Sequence, residues 1–185
     1  LLTVGRLVRR KGVAWFCEEC LPEIVARHPD TLYLVVGEGE MKEEIEGIIE
    51  KHDMADNMML IGYVSKEYLE LIYNSSHVFV MPNIPTQADM EGFGLVALEA
   101  CSCKLPVVAS DLEGIRDAMN GGGAGMLLEP GNADAFISSI SGLLADEEKR
   151  LDYGERARRF YVNEHSWEKT TRRYIELFQF LIKNN

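Results

Sequence analysis

Short apolar runs alternate with amphipathic stretches along most of the chain. The runs at 1–4, 32–36, 58–61, 77–81, 106–109 and 126–128 read as strands. In the second, fourth and fifth, apolar residues follow one another without polar alternation: Leu34-Val35-Val36, Val78-Phe79-Val80 and Val107-Val108-Ala109. A strand buried on both faces needs that pattern, because successive side chains point to opposite sides of the sheet. Between these runs, apolar residues recur at helical spacing over 13–27, 41–52, 66–74, 95–102 and 113–119. Such alternation predicts an α/β fold: a doubly wound parallel sheet with right-handed crossovers, Rossmann-like and three layers thick. After Pro130 only helical patterns remain, at 133–145, 147–161 and 167–183, with Asn132 and Ser166 as N-caps of the first and last. Tyr174, Leu177, Phe178 and Leu181 form a stripe on the last helix. The stripe reads as core packing, or as a face that crosses to a further domain.

Composition narrows the class. The 185 residues fit a single domain with a full core, and 46% apolar with 26% charged is ordinary for a soluble globular protein. No run approaches the roughly 18 apolar residues of a transmembrane helix. The chain opens on Leu1-Leu2-Thr3-Val4, a strand already under way, with no Met and no leader, so a fragment without a signal peptide is expected. A net charge of -11 argues against nucleic acid and anionic membrane surfaces as main partners. The local exception is Arg6, Arg9, Arg10 and Lys11, a basic cluster that a solvated turn would also explain. Cys17 and Cys20, and Cys101 with Cys103, have spacings that invite a zinc reading. Both pairs fall in helical segments without a Gly-rich knuckle, so they read as buried free thiols of a cytoplasmic protein, with no metal site.

In an open parallel sheet, ligands bind at the carboxyl ends of the strands, and three motifs fall there. Gly5-Arg6-Leu7-Val8-Arg9-Arg10-Lys11-Gly12 follows the first strand. Its guanidinium and ammonium groups suit phosphate oxygens. Val36-Gly37-Glu38-Gly39-Glu40 follows the second strand, but Lys42 stands where a dinucleotide fingerprint needs its third glycine, which disfavours NAD. Asp89-Met90-Glu91-Gly92-Phe93-Gly94-Leu95 opens a helix after the fourth strand. Backbone N–H groups at a helix start, with the positive end of the helix dipole, make a diphosphate site. Glu91 and Glu99 beside such a site are electrostatically awkward unless they bind hydroxyls, which a sugar and a ribose supply.

Taken together, these motifs resemble those of family-4 retaining glycosyltransferases, the glycosyl transferases group 1. Glu91 and Glu99 match the family's E-x7-E signature. Gly5-Arg6 with Lys11-Gly12, Val35-Val36-Gly37-Glu38-Gly39, Ile61-Gly62-Tyr63-Val64, Glu91-Gly92-Phe93-Gly94-Leu95, Leu105-Pro106-Val107-Val108-Ala109-Ser110 and Glu129-Pro130-Gly131-Asn132 follow in the family's order across nearly the whole chain. The resemblance implies that residues 1–185 form the C-terminal, nucleotide-sugar-binding half of a GT-B fold. Arg6 and Lys11, beside Gly5, would grip the donor's diphosphate. Gly62, Tyr63 and Val64 would border the base. Glu91 and the amides of Gly92, Phe93 and Gly94 would hold the transferred sugar, those of Leu95 and Val96 the phosphate, and Glu99 the ribose hydroxyls.

The implied reaction transfers a hexosyl group from a nucleoside-diphosphate sugar with retention, and without metal or other cofactor. A glycan or lipid-linked acceptor would bind an absent N-terminal domain, so the isolated chain is expected to turn over slowly or not at all. The full enzyme could sit peripherally on the inner face of the membrane. A donor-binding module without catalysis and a sugar-nucleotide epimerase are the competing readings. Two positions depart from the family pattern: Met90 stands where Pro is frequent, and Ile115-Arg116-Asp117 replaces a run ending in Pro-Glu, so that last loop is left out of the site.

Overall fold

Each of the six apolar runs becomes a strand. The computed structural model describes residues 1–86 and 93–183, with Glu113 by its backbone alone. The strands are β1 (Leu2–Val4), β2 (Tyr33–Val36), β3 (Met58–Gly62), β4 (Phe79–Met81), β5 (Val107–Ser110) and β6 (Met126–Leu128). All pair in parallel, in the order β3-β2-β1-β4-β5-β6. The chain therefore starts mid-sheet, winds out to one edge, returns past its start and winds out to the other. The reversal leaves a crevice between β1 and β4, where an open α/β sheet takes its ligands.

Nine helices cover the sheet among the described residues: α1 (Val13–Glu19), α2 (Leu21–Arg27), α3 (Lys42–Lys51), α4 (Lys66–Ser75), α5 (Leu95–Ser102), α6 (Glu113–Ala118), α7 (Ala133–Ala145), α8 (Glu147–His165) and α9 (Trp167–Lys183). Strand alternation sorts the core into two layers. Tyr33, Val35, Val80 and Val108 join Phe16, Ile24, Phe136 and Ile140 on one face. Leu2, Phe79, Met81, Val107 and Ala109 join Tyr73, Ala97, Ala100 and Ile115 on the other. Phe16 meets Tyr33 edge-to-face at 5.1 Å, an arrangement the ring quadrupoles favour. The buried Tyr33 hydroxyl is paired with Thr3 Oγ1 at 2.7 Å, and Thr3 donates to the Val80 carbonyl at 2.6 Å. Each of these buried hydroxyls thus has a partner, which offsets the cost of its desolvation.

Three expectations change. The helix expected over 13–27 breaks at Cys20 into α1 and α2, because Pro22 in the first turn of α2 has no N–H and its ring would strike the preceding turn. The helix expected to end at Tyr161 runs on to His165, since no breaker precedes Ser166. Asn132 and Ser166 act as caps, accepting from the amides of Ala135 at 3.0 Å and Lys169 at 3.3 Å. Core packing is the wrong reading of the α9 stripe in this chain, for Tyr174 is 58% and Phe178 57% exposed and no residue of α9 is buried. The thiols of Cys17, Cys20 and Cys101 are free and buried, and burial pushes Cys20 and Cys101 up to about 12. Among the described residues, no three His, Cys, Asp or Glu side chains cluster as a metal site requires, and no helix is long and apolar enough to cross a membrane.

Candidate functional site

The loops at the carboxyl ends of β1, β2 and β3 are laced together through their backbones. The Gly5 amide donates to the Val36 carbonyl, the Leu7 amide to Glu38 and the Gly37 amide to Gly62, each at 2.9 Å. A short 3-10 turn over Arg9–Lys11 then ends at Gly12, whose φ of 67° lies in the left-handed region. A Cβ on Gly12 would stand 1.8 Å from the Pro82 carbonyl oxygen, so only glycine lets the loop after β1 close on the chain leaving β4. The Ile84 amide donates to the Arg10 carbonyl at 3.0 Å and ties the same two loops again. Lys11 lies half-buried across Gly5, with Nζ 3.6 Å from the point a Gly5 Cβ would occupy, while Arg6 is exposed. Of the basic cluster, Arg6 and Lys11 thus sit at the mouth of the crevice, while Arg10 is buried and Arg9 lines a groove with Trp15, Glu18 and Glu44.

The other side of the crevice is the start of α5. Gly94 is its N-cap, with φ 67°, the backbone conformation that turns the chain into the helix. The first-turn amides of Leu95 and Val96 have no acceptor inside the helix, which leaves them available to an anion. Phe93 is exposed at this corner, and its ring meets that of His165, at the end of α8, edge-on at 6.0 Å. Burial and the nearby Arg173 guanidinium hold His165 below its usual value. Glu91 and Gly92, both expected in the site, lie outside the described residues.

One turn along α5, exposed Glu99 meets a buried partner. Tyr73 of α4 donates its hydroxyl to Glu99 Oε2 at 2.9 Å, while its ring packs on Phe79 at 5.7 Å. Burial and the Glu99 charge both push the Tyr73 phenol above its ordinary value, so it stays protonated and donating. Gly62, Tyr63 and Val64 lie at the end of β3, two strands from β1. Tyr63 is 80% exposed, and the Glu38 carboxylate lies against Gly62. Ile115-Arg116-Asp117 lies within helix α6 and not in a loop: Arg116 donates through Nε and Nη2 to the two oxygens of Asp111 at 2.6 and 2.8 Å and holds that carboxyl below the usual range.

The structure therefore brings Gly5, Arg6 and Lys11 to one lip of the crevice and Phe93, Gly94, Leu95, Val96 and Glu99 to the other, with Gly62, Tyr63 and Val64 on the same edge of the sheet, two strands from β1. Sequence reasoning missed Tyr73 and His165. Helical spacing marks Tyr73 only as a core residue, and nothing local relates it to a carboxylate 26 residues on.

The family model for glycosyl transferases group 1 matches residues 1–160. A GDP-mannose-dependent alpha-(1-6)-phosphatidylinositol monomannoside mannosyltransferase of Mycolicibacterium smegmatis is 30% identical over 179 residues, 96% of this chain and 47% of its own length. A sucrose-phosphate synthase from Thermosynechococcus elongatus superposes with a TM-score of 0.80 at 27% identity, covering 100% of this chain and 46% of that one. The C-terminal domain of a glycosyl transferase group 1 protein from Francisella tularensis shares the fold, with a TM-score of 0.78 at 21% identity over 90% of this chain and 86% of that domain. The chain thus spans less than half the length of the curated mannosyltransferase and of the synthase. The match over residues 1–160, with the sheet order and the crevice described above, makes the chain a member of the glycosyl transferases group 1 family.

Proposed function

We propose that the chain is the donor-binding domain of a retaining glycosyltransferase, which transfers a hexose from a nucleoside-diphosphate sugar. The observation that carries this reading is the convergence at the β1/β4 reversal: a basic loop on one lip, a helix N-terminus on the other, and a tethered carboxylate one turn along that helix. Diphosphate would bind between Arg6, Lys11 and the Leu95 and Val96 amides. Glu99 would take the ribose hydroxyls, and the backbone at Gly62, Tyr63 and Val64 would border the base. The family resemblance assigns the sugar to Glu91 and to the amides of Gly92, Phe93 and Gly94.

Charge supplies the mechanism. As the glycosidic bond lengthens, negative charge grows on the leaving diphosphate, and fixed donors at Arg6, Lys11 and the start of α5 stabilise it. Donors of this kind are commonly worth about 3–4 kcal/mol each. These groups carry the developing charge themselves, so the proposal assigns no metal or cofactor. The acceptor, a glycan or a lipid-linked glycan, is assigned to a further domain outside this chain, and the working location to the cytoplasm or the inner membrane surface.

A thermal-shift panel of UDP, GDP, ADP and NAD on the wild type and Glu99→Ala tests the reading. At a ligand concentration about 100 times Kd, binding adds roughly 2.7 kcal/mol of stability. One nucleoside diphosphate is expected to shift Tm, and Glu99→Ala to reduce that shift. No shift with any diphosphate, or a shift with NAD alone, defeats the reading.

A further inference from the structure

We infer that Tyr73 is a positioning residue: its hydroxyl pins Glu99 in the one rotamer that can grip a ribose, so the pair sets the preference for ribonucleotides over deoxyribonucleotides. This inference rests on the donor-site reading above and adds a residue to it.

The geometry is asymmetric. Tyr73 is 3% exposed, held by Phe79 and the rest of its layer, whereas Glu99 is exposed on α5. An exposed glutamate has three free side-chain torsions and samples several rotamers. The phenol has a single proton and two acceptors within reach, Glu99 Oε2 at 2.9 Å and the Val96 carbonyl at 3.5 Å. The shorter, charge-assisted bond takes it. Tyr73 has no second hydrogen to offer a ligand, so its part is to hold Oε2 and leave Oε1 free for the ribose. A diol is recognised only by a carboxylate already in place, because immobilising a long side chain at binding costs affinity. The bond also joins α4 to α5, so the loop that follows β3 and the helix that would receive the phosphate keep a fixed spacing.

The test is binding of UDP, GDP and ADP, each with its 2′-deoxy counterpart, to the 185-residue wild type, Tyr73→Phe and Glu99→Gln, followed by titration calorimetry. Tyr73→Phe keeps the ring against Phe79 and removes one oxygen. It is expected to weaken the ribonucleotide about fivefold, to weaken the 2′-deoxy form, which keeps one of the two hydroxyls, by less, and so to compress the ratio between them. It should have little further effect on the Glu99→Gln background. Glu99→Asp, which withdraws the carboxylate from Tyr73 without touching the core, should compress the ratio as well. Wild-type affinity in Tyr73→Phe, an equal loss for both sugar forms, or a full ribose preference in Glu99→Asp would each overturn the positioning role while leaving Glu99 in the donor site. Failure of the wild type to bind any nucleoside diphosphate would overturn the donor-site reading and this inference with it.

Discussion

Helix α5 has 8 residues and buries four of them, Ala97, Leu98, Ala100 and Cys101, whereas α9 has 17 and buries none. Yet α5 has almost no hydrophobic side of its own, while α9 separates Tyr174, Leu177, Phe178 and Leu181 from its charged residues. Surroundings shape α5. It lies between the sheet and α8, where Gly154 and Ala157 offer a smooth surface and the Arg158 guanidinium caps its end by donating to the Ser102 carbonyl at 2.7 Å. A helix with apolar residues all round needs neighbours on every side, and one with a single apolar stripe needs one neighbour. The stripe of α9 stays about half exposed, with no residue of the helix buried, and the helix is held at its corner by Glu164, which pairs with Lys169 and Arg173. The helix that carries the candidate phosphate site is therefore fixed by many partners, and the terminal helix by a polar hinge.

Three substitutions sharpen or break that contrast. Ala100→Leu forces three more carbon atoms into a fully buried position, and urea unfolding should show a loss of about 3 kcal/mol. An effect under about 0.5 kcal/mol would mean that α5 is loosely seated. Gly154→Ala tests the contact from the α8 side. In an open helix the change would gain about 1 kcal/mol. Here the new Cβ would lie 2.1 Å from the Lys104 carbonyl oxygen, so overpacking of about 2 kcal/mol should reverse the sign and leave a net loss of about 1 kcal/mol. A gain in Tm would refute the close approach of α8 to the chain that leaves α5 at Lys104. Phe178→Ala removes a ring that is 57% exposed, and stability should move by no more than about 0.5 kcal/mol. A loss of 2 kcal/mol or more would mean that the α9 stripe is covered in solution.

The same contrast explains what could be read in advance. Val35, Val80 and Val108 sit in unbroken apolar runs that only a sheet covered on both faces can use, so the strands and their parallel pairing were legible. Gly12 and Gly94 were legible as chemistry because a glycine beside a basic residue or a helix start marks a close approach. The break at Cys20 was missed because the apolar spacing of Phe16, Leu21 and Ile24 continues across it and only Pro22 signals a change. Glu99 could be singled out by its place in a local motif. Tyr73 could not, because a contact between side chains on different crossovers leaves no periodic trace. Glu91, the other carboxylate of that motif, stands on its sequence pattern alone, outside the described residues.

The bare stripe of α9 also has a colloidal consequence. Copies of the chain each carry a net charge of -11, and that repulsion keeps their apolar stripes apart in dilute buffer. Its reach shrinks to about 10 Å at 0.1 M salt and about 3 Å at 1 M. As salt rises, or as the pH falls towards the isoelectric point near 4.8, the stripes become free to meet. The segment that buries no residue of its own is thus the one expected to govern how readily copies of the chain associate, which light scattering against salt and pH checks.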